Sequence, residues 1–225
     1  MGGNAGGSNG IATVRMREPV NGLTHLAGVL LSMIALVVLL SLAIAARDAR
    51  QVIAFTIFGL SQIALYTAST LYHSLPLSPK GVARLRRIDH MMVFVLIAGT
   101  YTPICLVALG GGWGWSLLAV VWGLAIGGLI LKTRWMHAPK WLSTGIYLLM
   151  GWTVIVAAPV LFHKLPAGAL VWLLAGGIIY TIGAVIHALK RPNLIPGVFE
   201  AHALWHLFVL GGSACFFWMV VRYVA

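Results

Sequence analysis

Seven long apolar runs separated by short polar stretches dominate the chain, at about residues 22–46, 52–75, 89–109, 113–131, 141–162, 168–189 and 201–221. A helix needs roughly 20 apolar residues to cross the hydrocarbon of a bilayer. The pattern therefore predicts an all-α protein, a seven-transmembrane helix bundle. The third and fourth runs are parted only by Gly110–Gly112, but their joint length is too great for one crossing, so they are read as two. Pro103 and Pro159 fall inside runs and predict kinks, tolerable in a membrane where neighbours satisfy the freed carbonyls. Gly123 and Gly127, Gly176 and Gly177, and Gly211 and Gly212 offer small surfaces for close helix packing. Residues 1–17 are rich in Gly, Asn and Ser and read as a disordered tail, leaving 18–225 as the transmembrane domain.

Composition sharpens this picture. Of 225 residues, 60% are hydrophobic and only 8% charged, with a mean hydropathy of +0.97. Such a composition points to a polytopic membrane protein. The net charge of +11 does not imply a nucleic-acid partner, because the basic residues lie in short clusters between the runs. That is the pattern of loops at an anionic membrane surface. One side of the predicted bundle carries Arg15, Arg17, Lys80, Arg84, Arg86, Arg87, Lys132, Arg134, Lys140, Lys190 and Arg191; the other carries Arg47, Arg50, Lys164 and Arg222. The excess places the N-terminus in the cytoplasm and, with seven spans, the C-terminus outside. No short apolar core with a small-residue cleavage site opens the chain, so no cleaved signal peptide is expected. Cys105 and Cys215 lie within apolar runs and read as buried small hydrophobes, not as a disulfide.

The candidate chemistry is carried by histidines. His202 and His206 stand four residues apart, which puts both imidazoles on one helix face and offers two ligands to one metal ion. The predicted topology brings His73, at the end of the second run, and Asp89, at the start of the third, to the same end of the bundle. Of eight histidines, only His163 is placed at the opposite end. His137 reads as a solvated loop residue, His187 as interfacial, and His25 as capping or packing at the mouth of the first span. Asp89 and His90 point to different faces, and Asp89 is taken as the core-facing member. Three neutral imidazoles with a fourth position open to water describe a catalytic-type zinc site, although iron, nickel and copper also accept such ligands. Zinc lowers the pKa of a bound water from about 15.7 towards about 7. Asp89 would then act as general base or as hydrogen-bond acceptor to that water. Ser69, one turn before His73, would hold the water or polarise a substrate carbonyl, or would simply bond back to its own helix.

These residues also carry a resemblance. Ser69-Thr70-Leu71-Tyr72-His73-Ser74, Asp89-His90, Ile97-Ala98-Gly99-Thr100-Tyr101-Thr102-Pro103 and His202-Ala203-Leu204-Trp205-His206, with Glu18-Pro19-Val20-Asn21, Thr24-His25 and Gly28 at the start, resemble the bacterial hemolysin III family. That family is similar to the progestin and adipoQ receptors and, more distantly, to alkaline ceramidases. The resemblance implies a seven-helix protein of the bacterial plasma (inner) membrane. It also implies one zinc ion held by His73, His202 and His206, with Asp89 and Ser69 at the family's acidic and serine positions. Glu200 precedes the closing motif, and no acidic residue lies between its two histidines.

Three functions follow as expectations. The first is a zinc-dependent hydrolase of a lipid amide or ester bond, taking its substrate sideways from the membrane lipids and serving lipid homeostasis. The second is a sensor of lipid composition or membrane fluidity in which zinc is a structural staple, with Asp89 as a fourth ligand. The third is a pore-forming cytolysin, disfavoured because a secreted toxin must first be soluble.

Overall fold

The computed structural model describes residues 16–135 and 139–225. Of the predicted tail only Met16 and Arg17 fall among them, and His137 lies outside them. Eight α-helices follow one another: α1 (Pro19–Ala46), α2 (Ala49–Ser74), α3 (Pro79–Pro103), α4 (Gly111–Arg134), α5 (Lys140–Trp152), α6 (Ala158–Lys164), α7 (Ala167–Leu189) and α8 (Ala201–Tyr223). A π-helical turn, Ile104–Leu109, continues α3, and a 3-10 segment, Thr153–Ala157, joins α5 to α6. Among the described residues the result is seven helices long and apolar enough to cross a membrane, as the hydropathy pattern predicts.

Helix boundaries follow local chemistry. Asp48 opens α2 by accepting hydrogen bonds from the backbone N–H groups of Arg50 and Gln51, and Ser78 opens α3 by accepting from Gly81 N–H, each satisfying donors that a helix start leaves orphaned. This cap starts α3 ten residues before the predicted 89. The added turns carry Lys80, Arg84, Arg86 and Arg87, so the helix extends beyond the apolar run that hydropathy detects. Gly110, at φ 58°, separates α3 from α4, in the left-handed region that glycine enters without steric cost.

The two prolines mark real irregularities. Pro103 leads into the π turn, and Pro159 sits in the first turn of α6 just after the 3-10 segment. The break between α5 and α6 is held by the hydroxyl of Tyr101 on α3. It donates to the carbonyl of Gly151 at 2.5 Å and accepts from the Val154 N–H at 2.9 Å. A neighbouring helix thus satisfies backbone groups that lipid could not. At the other end of this span, the Lys164 ammonium donates to the Leu109 carbonyl.

The bundle is apolar outside and partly polar within. Leu30, Leu31, Ile34, Val37 and Ile44 of α1 are exposed, whereas His25, Ser32, Gln62, Ser69, His73, Asp89, Thr100 and His206 are buried. This inversion suits a lipid surroundings in which intramembrane polar groups face the interior. Gly176 lies against the Phe216 ring and Gly212 against Tyr180. Gly123 and Gly127 meet no described neighbour because they lie on the exposed face of α4. Cys105 and Cys215 are free and buried. The helices α1, α2 and α3 pack in sequence, α7 pairs with α8, and α8 closes against α1. The end of α2 thereby meets the start of α8.

Candidate metal centre

At that meeting point His73, His202 and His206 come together. One ligand nitrogen from each lies within 4.8 Å of the other two, a group that can hold a metal ion. His73 and His206 are 2% and 1% exposed. Their placement has local causes. Asn193 caps α8 by accepting from the Ala201 N–H at 3.0 Å, which fixes the helix one residue before His202. The Glu18 N–H donates to the His73 carbonyl at 2.9 Å, tying the start of α1 to the end of α2.

Each ligand ring is oriented through its Nδ1. The Glu18 carboxylate accepts from His73 Nδ1–H at 2.6 Å, and the Asn21 carbonyl accepts from His206 Nδ1–H at 3.3 Å. His202 Nδ1 lies 3.3 Å from His187 Nδ1. Contacts through Nδ1 of this kind are the means by which outer partners fix the tautomer of metal-binding histidines. The Nε2 atoms of His73 and His202 are 3.2 Å apart. A tetrahedral ion with metal–nitrogen distances of about 2.0–2.1 Å spaces its ligands by about 3.3 Å, so the donor set fits such an ion. The hydrogen bond to His73 holds the Glu18 carboxyl down to about 2, aided by the Asn21 amide and Arg17 and opposed by its partial burial.

Sequence reasoning missed two of these partners. Glu18 was legible only as part of an opening motif, because its pairing with His73 spans 55 positions. His187 is not merely interfacial: it reaches His202, and its ring lies 4.1 Å from that of Trp205. The last turn of α7 faces α8, which a count of apolar residues cannot reveal. Glu200, by contrast, is a turn residue whose Oε1 accepts from the Gly197 N–H. Replacing Glu18 with glutamine is expected to weaken metal binding by about 10–100-fold, as read by competition with a chelator. Unchanged affinity would show that the carboxylate does not position His73.

Asp89 is buried, and its Oδ2 lies 3.4 Å from His90 Nδ1. It does not join the metal-competent group. Ser69 and His25 are buried without a hydrogen-bond partner among the described residues, and His25 stacks on His206 at 3.6 Å between ring centroids. These orphaned polar atoms face one cavity. His25, Ser69, Asp89 and His206 line one end of a space of about 100 Å³. It shares Thr100, Tyr101, Gly151, Trp152, Gly177 and Phe216 with a second space of about 280 Å³. The far wall of that second space includes Ile155, Phe162, Val171 and Leu174, all exposed on the outer surface. Two largely apolar spaces thus adjoin between the His206 side of the cluster and the bundle's exterior.

Comparison with known proteins is consistent with this construction. A family model, Haemolysin-III related, matches residues 13–217. The chain is 44% identical to Hemolysin-3 of Bacillus cereus over 207 residues, covering 92% of this chain and 91% of that protein. It is also 44% identical to the Hemolysin-3 homolog of Bacillus subtilis (strain 168) over 206 residues, covering 92% and 93%. The Monocyte to macrophage differentiation factor of Homo sapiens is 28% identical over 184 residues, covering 79% of this chain and 73% of that protein.

Proposed function

The chain belongs to the Haemolysin-III related family, and on that premise we propose that it is a zinc-dependent hydrolase of a lipid amide or ester bond in the plasma membrane. The uneven distribution of Lys and Arg supports a cytoplasmic position for the histidine end. One observation carries the reading: buried polar groups, His25, Ser69 and Asp89, line with His206 a cavity that adjoins a second, apolar space bounded by residues exposed on the outer surface. An acyl chain fits the apolar stretch, with its carbonyl brought to Ser69, Asp89 and His206.

A bound zinc ion would supply an activated water and polarise the carbonyl. The protein does the rest. Asp89, whose Oδ2 lies 3.4 Å from His90 Nδ1, takes a proton from the attacking water as the water oxygen bonds to the carbonyl carbon. The Ser69 hydroxyl donates to the oxygen on which negative charge develops. Asp89 then delivers its proton to the leaving nitrogen or oxygen as the C–N or C–O bond breaks. The apolar walls keep bulk water from the reacting carbonyl. A structural staple closed by Asp89 is supported less, because a closed site normally has four protein ligands and Asp89 stands apart from the three histidine nitrogens.

The test is release of fatty acid. Purified metal-loaded protein, given bilayers that contain ceramide-type amides or acyl esters, is expected to release fatty acid from one class, and chelation is expected to stop it. Metal-replete protein that releases none from either class overturns the hydrolase.

A further inference from the structure

Beside Asp89 lies a small cavity of about 50 Å³, lined in part by Arg86, Asp89, His90, Lys132, Ser143 and Thr144. Lys132 is only 2% exposed, and its ammonium donates to the Ser143 hydroxyl at 2.5 Å. A hydroxyl is a neutral partner, and a buried cation without a counter-charge is costly. Of the chain's four acidic side chains only Asp89 lines this cavity, and it forms no ion pair with Lys132. Glu18 pairs with Arg17 and His73, Asp48 with Arg50 and Asp89 with His90, while Glu200 caps its own turn. Neither Lys132 nor Arg86 has a carboxylate partner among the described residues. Arg86 is exposed and stands where the cavity meets the bundle's end.

We propose that this cavity binds the phosphoryl group of an anionic lipid headgroup. An ammonium, a guanidinium and two hydroxyls form a donor set suited to phosphate oxygens. By the measure in which one water needs about 10–15 Å³, the cavity takes about four waters, the space of a phosphate's four oxygens. Asp89, Val93, Tyr147, Ala184 and Trp205 line both this cavity and the acyl passage. The proposed headgroup cavity therefore adjoins the proposed acyl site. This assignment rests on the hydrolase reading for its chemistry and narrows that reading's substrate to phosphate-bearing acyl lipids.

The experiment measures binding, not turnover, on purified full-length protein in a non-ionic detergent. The probes are dioctanoyl phosphatidic acid, dioctanoylglycerol and inorganic phosphate, with zinc content determined on the same samples. Wild type is expected to bind the phosphatidic acid at least about tenfold more tightly than the diacylglycerol, since hydrogen bonds to charged groups carry such differences. Lys132→Met is expected to abolish that preference, and Arg86→Gln, at an exposed position, to reduce it several-fold. Equal binding of the two lipids, or a preference that survives both substitutions, overturns the proposal. Inorganic phosphate that competes as well as the short-chain lipid identifies a free-phosphate site and overturns the lipid assignment. Wild-type protein that holds zinc but shows no preference overturns this inference alone. A retained preference in protein that never binds zinc supports the phosphate site and overturns the hydrolase.

Discussion

His206→Ala is expected to reduce the purified protein's zinc from about one ion per chain to background. His206 is 1% exposed, with Nδ1 at 3.3 Å from the Asn21 carbonyl, and belongs to the three-histidine group. Its loss leaves two nitrogens from two separate helices, too few for a tetrahedral site that already reserves one position for water. The deficit should exceed the roughly 10–100-fold that loss of an outer partner costs. Alanine here also opens a cavity in a packed interior, which costs about 2–5 kcal/mol for large apolar side chains, so the measurement is paired with His202→Ala, where the side chain is only partly buried. Elemental analysis of both variants beside wild type decides the matter. Equal zinc in all three samples removes the metal centre.

Asp89→Asn is expected to lower fatty-acid release by about 10²–10⁴-fold, the usual contribution of a positioned general base, while leaving the zinc content unchanged. The amide has nearly the volume of the carboxylate, so the packing around α3 is preserved. What it cannot do is take a proton. The pairing of the two readouts separates the alternatives. Zinc lost together with turnover makes Asp89 a ligand, and the staple reading gains. Turnover that survives with zinc in place removes Asp89 from the chemistry.

The sequence made the spans legible because apolar length is a one-dimensional quantity, and the α3–α4 turn at Gly110 could be inferred from length alone. It also made His73, His202 and His206 legible as a group, because counting basic loops assigns each helix end a side and depth then follows. What stayed hidden depends on how helices rotate against one another. The pairing of Glu18 with His73, the reach of His187 to His202 and the burial of Lys132 each follow from which face a helix turns to its neighbour. The early start of α3 was hidden for a different reason, since charged turns beyond the lipid leave no trace in hydropathy.

The histidine cluster joins positions separated by 129 residues, near the end of the second span and the start of the last. A chain made from its N-terminus therefore inserts six spans before any second ligand for His73 exists. Until α8 arrives, His73 has only Glu18 to meet, and the bundle lacks the helix that packs on both α1 and α7. The three-histidine group is thereby confined to the finished bundle, since a product that stops short of α8 lacks two of its members.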